Sequence, residues 1–190
     1  MPFLALALAV AAAVVTGVIV SDLGQSSSHH TPATSQGTGG AQGTPLVVTS
    51  ATAFDPVGND GDRRDLSHLT DGDPNTIWLT EWYTTRQFGG TGKPGVGFVL
   101  NMDQSHKLRD LVLASPTPGY NVSVYVADSS PSDLQSWGQP VKTVSDAPGR
   151  AVIPLDGRQG SHVLVLFTYL SPTVDGGGYV VKVSDAQLTG

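Results

Sequence analysis

From residue 46 onward the chain is written in short alternating runs. LVVTSATAF (46–54), GVGFVLNM (95–102), LRDLVLAS (108–115), YNVSVYVA (120–127), PVKTVS (140–145), RAVIPL (150–155), HVLVLFTYL (162–170) and YVVKVSDAQLT (179–189) are rich in Val and other β-formers. With the TIWLTEW segment they make about nine candidate strands, separated by turn sequences such as PTPG, DAPG, LDGRQG and DGGG. In YNVSVYVA, Val122, Val124 and Val126 project to one side while Asn121, Ser123 and Tyr125 project to the other, the mark of a strand with one buried face. VLVLFTYL is apolar on both sides, as a central strand requires. Only LSHL and PSDLQSW suit short helical turns. Many short strands without long helices predict an all-β fold, a β-sandwich of the jelly-roll kind.

The acids agree with this. Glu81 is the only glutamate and every other acid is Asp, which favours turns and caps where Glu favours helices. Gly (23) and Pro (13) are frequent enough to supply the many turns such a fold needs. The net charge of −6, with no basic stripe, argues against nucleic acid as a partner. There is no cysteine, so disulfides and thiolate chemistry are excluded.

The segments before residue 46 read differently. Residues 3–20, FLALALAVAAAVVTGVIV, carry no charge and as a helix would reach roughly 27 Å, near the ~30 Å of a hydrocarbon core. A signal peptide and a membrane anchor are both compatible with such a run; its length and the alanines inside it favour the anchor. Residues 1–21 are therefore expected to form one transmembrane helix, making the chain single-pass in the cell membrane. Residues 22–45 are Ser, Thr, Gly and Gln with few apolar side chains, a flexible tether with an expected span of roughly 25–30 Å. The folded domain is expected over 46–190, on the extracytoplasmic side.

The densest chemistry lies in LTDGDPNTIWLTEWY (69–83) and the loop after it. Trp78 is expected in the core. Trp82, Tyr83 and Phe88 stand at the end of the presumed strand, next to the Gly-rich FGGTGKPG, with Arg86 and Lys93 adding positive charge. Sugars stack apolar C–H faces on Trp and Tyr, and cations suit carboxylate or phosphate, so Trp82, Tyr83, Arg86 and Lys93 are the candidate ligand-binding rim. Trp82 covering the sandwich end without a ligand is the competing reading. Trp137 is expected to anchor its loop. No catalytic residue can be nominated: Glu81 lacks an identifiable carboxylate partner and no GxSxG elbow is present, so a hydrolase is a lesser alternative to a binding module. The Asn121-Val122-Ser123 sequon falls within a predicted strand and is read as chance.

LSHLTDGDPNTIWLTEWY, with the closing VVKVSDAQLTG, resembles discoidin-like, galactose-binding-type jelly rolls. The resemblance covers residues 46–190. It implies a carbohydrate-binding module, and possible structural calcium beside the DGD turn held by Asp73, Thr76 and Gln187. Gln187 stands where relatives often carry Glu. The alternative is that Asp71 and Asp73 simply form an Asx turn before Pro74. More narrowly, an apolar helix, a tether, and then TSATAFDPVGNDGD, DGDPNTIW and FGGTGKPGVGFVL are similar to the extracytoplasmic C-terminal domain of actinobacterial lipid II flippases of the MurJ/MviN type. That resemblance implies a role in peptidoglycan biosynthesis and a cell-envelope glycan, a peptidoglycan precursor or an envelope protein as partner. A protein–protein or spacer domain with no small ligand remains the alternative.

Overall fold

In the computed structural model the described residues are 43–58 and 64–190, within the unit Thr38–Gly190. The expected transmembrane helix and nearly all of the expected tether lie outside them. Among the described residues no helix is long and apolar enough to cross a membrane.

The fold is all-β. Among the described residues ten strands run in order: β1 (Ser50–Phe54), β2 (Trp78–Leu79), β3 (Val96–Ala114), β4 (Tyr120–Ala127), β5 (Lys142–Ala147), β6 (Arg150–Tyr169), β7 (Ser171–Pro172), β8 (Tyr179–Val180), β9 (Lys182–Val183) and β10 (Asp185–Thr189). LSHL and QSW form 3-10 turns, Leu66–Leu69 and Gln135–Trp137. The main sheet has the order β1-β3-β6-β4-β5, with β10 also pairing β3.

Two very long strands carry the sandwich. The sequence divides 95–102 from 108–115 and 150–155 from 162–170, yet each pair forms one strand. The reason is visible in the register. Between Asn101↔His162 and His106↔Gly160, β3 has extra residues; between Leu108↔Arg158 and Asp110↔Pro154, the excess is on β6. There Asp156 (φ 53) and Gly157 (φ 70) adopt left-handed conformations. LDGRQG therefore makes a bulge within a paired strand where turn chemistry predicts a hairpin, and bulges bend and twist a ribbon without ending it. The two halves of the bent ribbon take different neighbours: β1 pairs with the first half of β3 and β10 with the second.

Side chains from both halves meet in one core. Phe98, Leu100, Val163, Val165, Phe167, Val122 and Val124 pack with Leu111, Leu113, Ile153, Leu155, Ala186 and Leu188. Each fully buried aliphatic or Phe side chain contributes about 1.5–3 kcal/mol relative to exposure. β6 is buried on both faces: Leu164 and Leu166 turn to a second cluster with Phe54, Val99, Tyr125 and Trp137. That cluster corrects the one-faced reading of β4, since Tyr125 is covered too. Trp137 anchors its loop as expected, with Nε1–H donating to the Pro131 carbonyl (3.0 Å) and its ring edge-on to Phe54. Asn121 lies in β4 and accepts a hydrogen bond from the Asp146 N–H.

The final predicted strand, 179–189, divides among three partners: β8 pairs β7, β9 pairs β2, and β10 pairs β3. The paired backbone begins at Thr44, whose N–H donates to the Gly190 carbonyl and whose carbonyl accepts from the Gly190 N–H. Leu46 donates to Leu188 in the same ladder.

Candidate functional site

The quoted segment is a loop-to-strand junction, and one bulge shapes it. Trp78 and Leu79 pair with Val183 and Lys182, and the Thr80 N–H continues that register onto the Val181 carbonyl. Tyr83, however, exchanges both backbone hydrogen bonds with Tyr179. Glu81 and Trp82 thus face the single residue Val180, and the extra residue pushes the strap outward. The Thr80 side chain locks this in place: it is fully buried, accepts the Val181 N–H at 3.1 Å and donates to the Glu81 carbonyl at 3.0 Å.

The two indoles consequently have opposite fates. Trp78 is 0% exposed, edge-on to Phe98 and stacked near Phe167, so its expected core position is correct. Trp82 is 54% exposed. Its indole lies against the backbone of Gly178, where any Cβ would overlap the ring. It therefore presents a supported surface to solvent. Open grooves flank it on two sides. One, of about 330 Å³, is lined by Arg64, Asp65, Leu79, Thr80, Glu81 and Trp82. The other, of about 560 Å³, is lined by Leu79, Trp82, Thr117, Thr173, Val174, Asp175, Val180 and Lys182. Glu81 is ion-paired with Arg64 at 3.1 Å.

Tyr83 and Lys93 are not on the rim. Tyr83 is buried, edge-on to Phe88, which is itself buried at 1%. The Lys93 ammonium donates to Asp55 Oδ2 at 2.6 Å, with side chains only 4% and 5% exposed, and lies 3.3 Å from the Tyr83 hydroxyl. Asp55 Oδ1 accepts the N–H groups of Val57 and Gly58. A buried cation needs such a partner because leaving it unpaired in the interior is costly. The pair ties the loop after β1 to the Gly-rich loop, beneath the strap that carries Trp82. Arg86 lies elsewhere again, its guanidinium 5.1 Å from the Tyr169 ring centre and 5.8 Å from that of Tyr179.

At the other end of β2 the DGD turn closes on itself. Asp71 accepts the Asp73 N–H (3.0 Å) and, on both oxygens, the Thr76 hydroxyl. These bonds, the Asp73 N–H first, hold the Asp71 carboxyl below its usual value, helped by the nearby His68. The Asp73 carboxylate is turned to the N–H and amide of Asn75, while its carbonyl lies 2.9 Å from Thr76 Oγ1. Asp71 and Asp73 thus each close an Asx turn on the N–H two residues on. Across a groove of about 300 Å³ stand Asp185 and Gln187. Burial raises the Asp185 carboxyl, opposed by hydrogen bonds from the Ala186 backbone and the Gln187 side chain and by the charge of Arg150; the charge of Asp71 adds to the rise. Carboxylate, carbonyl and hydroxyl oxygens are the donors calcium takes, and the turn gathers them from Asp71, the Asp73 carbonyl and Thr76. It is the Asp71 carboxylate, rather than that of Asp73, that stands beside Thr76. Among the described residues no group of three His, Asp or Glu gathers as a metal cluster.

Gly178, Leu79, Val174, Asp175 and Lys182 escape sequence reasoning. DGGG signals only a turn, and nothing in local spacing links residue 82 to a partner at 178.

No protein-family model matches the chain. Solved structures share its fold. The CBM32 of AlyQ, in complex with 4,5-unsaturated mannuronic acid, matches at 10% identity with a TM-score of 0.53, over 76% of this chain and 97% of that one. CpGH89CBM32-5 from Clostridium perfringens, in complex with GalNAc-β-1,3-galactose, matches at 14% identity with a TM-score of 0.50, over 74% and 94%. Truncated AlyQ with CBM32 and alginate lyase domains gives 10% and 0.54, over 77% of this chain and 33% of that larger one. The chain therefore has the β-sandwich fold of discoidin-like carbohydrate-binding modules, and at these identities the likeness is one of fold.

Proposed function

We propose that this protein is a glycan-binding module, tethered outside the cell membrane through residues 3–20, and that Trp82 is its stacking platform. The observation that carries the reading is the indole of Trp82, half exposed, backed by Gly178 and set between two open grooves. Saccharides bury an apolar C–H face against such a ring and orient through polar groups nearby, here Arg64, Glu81, Asp175 and Lys182. The fold supports the reading, since two structures sharing it were solved with saccharides bound. Binding, rather than bond cleavage, is its activity. The ligand is a cell-envelope glycan or peptidoglycan precursor, in keeping with the resemblance to the tail of a lipid II flippase. Calcium held by Asp71, Asp73 through its carbonyl, and Thr76, with Gln187 facing them across the groove, would brace the turn at the other end of β2.

A second reading, a protein-docking domain, is favoured by the exposure of Leu79 and Val174 beside Trp82. Calorimetric titration of the full chain in detergent micelles with envelope oligosaccharides separates the two. Saturable binding of neutral oligosaccharides that disappears in Trp82→Ala supports the glycan reading. Absence of saccharide binding, with membrane-protein partners retained in pull-downs, establishes the docking reading instead.

A further inference from the structure

We propose that Arg86 forms a second binding site, separate from Trp82, for a saccharide bearing an anionic group. Arg86 is set by its backbone, whose carbonyl accepts the Leu170 N–H at 3.0 Å. Its guanidinium stands over the Tyr169 ring and over the Tyr179 ring, so two aromatic surfaces attract and flank it. Arg64, Lys93 and Arg109 each have a carboxylate partner, at 3.1, 2.6 and 3.4 Å, while Lys107, Lys142, Arg150, Arg158 and Lys182 have none within 4 Å among the described residues; Arg86 differs from these five in standing over two tyrosine rings. Arg86 has none among the described residues, and no acceptor there engages its N–H groups. In a chain of net charge −6, an arginine flanked by aromatic rings without a carboxylate is a preorganised anion receptor. Its planar fork of donors matches the paired oxygens of a carboxylate or phosphate.

The surroundings define what carries that anion. Arg86 borders a shallow, open depression of about 260 Å³ that Thr84, Thr85, Gln87, Tyr169 and Tyr179 also line. Every one of these side chains bears a hydroxyl or amide, a lining suited to a ring with many hydroxyls. The depression shares no residue with either groove beside Trp82. The proposal rests on the glycan reading for the ring and on Arg86 alone for the charge.

The test is calorimetric titration of the full chain with methyl galactoside, methyl galacturonide, galactose 6-phosphate and inorganic phosphate. Either sugar acid should bind about tenfold or more tightly than the neutral sugar, the effect of charge-assisted hydrogen bonds. The preferred acid identifies the anion as carboxylate or phosphate. Arg86→Gln should abolish that advantage, and Arg86→Lys should keep only part of it, because an ammonium lacks the fork. Trp82→Ala should leave it intact. Should Arg86→Gln lower the melting temperature, Arg86→Lys decides: an undiminished advantage overturns the fork-based site. Equal binding of acid and neutral sugars overturns the proposal, as does an acid advantage that survives Arg86→Gln. Inorganic phosphate binding as tightly as the sugar acids overturns the saccharide assignment, and loss of the advantage in Trp82→Ala overturns the separateness of the site. Arg86-dependent acid binding together with neutral sugars indifferent to Trp82→Ala would remove the Trp82 platform and leave this site standing.

Discussion

Two loops leave the short strand β2 in opposite directions, and they spend their polar groups in opposite ways. At its start, Asp71, Asp73, Asn75 and Thr76 bond almost entirely to one another. At its end, the strap from Glu81 to Arg86 hides Tyr83 and leaves Trp82 and Arg86 beside open depressions. The first loop is a self-contained turn that sets where β2 begins. The second is held from below by the Asp55–Lys93 pair and from the side by Gly178, and among the described residues the Trp82 indole and the Arg86 guanidinium engage no hydrogen-bond acceptor. Support from buried partners, with the presenting atoms left over, is what distinguishes a binding surface from a turn.

The sharpest way to break this contrast uses the two tryptophans. Trp78→Ala should cost about 3–5 kcal/mol of folding stability by emptying the core, seen as a large fall in melting temperature. Trp82→Ala should cost under about 1 kcal/mol and remove the binding of neutral saccharides. If the two variants destabilise alike, Trp82 is a packing residue and the platform is lost. Next comes the support: Lys93→Met leaves Asp55 buried without its cation and should cost about 3 kcal/mol or more in chemical denaturation. Adding Asp55→Asn to that variant should restore most of the loss. Smaller is Gly178→Ala, whose methyl group displaces the indole; saccharide affinity should fall toward that of Trp82→Ala while the fold persists by circular dichroism. For the self-contained turn, calcium should raise the melting temperature by mass action, and Asp71→Asn should erase the rise. No change in melting temperature with calcium would leave the turn as its hydrogen bonds alone.

The smallest effect is one of pH. Asp71, Asp133 and Asp175 are each held below the usual 3.8: Asp71 first by the Asp73 N–H, Asp133 first by the Ser136 hydroxyl, Asp175 first by the Thr173 hydroxyl. A depressed carboxyl stabilises the fold above its unfolded value and loses that contribution as pH falls through the folded one. All three are solvent-exposed, so melting temperature should decline only gently below about pH 4.

The fold was legible because alternation is a local signal. Phe98, Val122, Val124, Val165 and Phe167 were marked as strand residues by spacing alone. The division of 179–189 among three partners was not, since a run such as YVVKVSDAQLT carries no record of which strand it will meet. The site was half legible. Aromatic and cationic residues clustered at 82–93 drew attention to the right strap, but whether each faces in or out depends on one bulged residue between Thr80 and Tyr83. A slip of one position reverses every side chain beyond it, and that is why Trp82 is presented while Tyr83 is buried. Lys93 looked like a rim cation because its partner, Asp55, lies 38 residues earlier.

The ladder between Thr44 and Gly190 has a further consequence. The polypeptide enters and leaves this sandwich side by side, zipped in opposite directions. A module threaded in this manner occupies a single point of attachment, so it can be spliced into a surface loop of a host without prising the flanking segments apart.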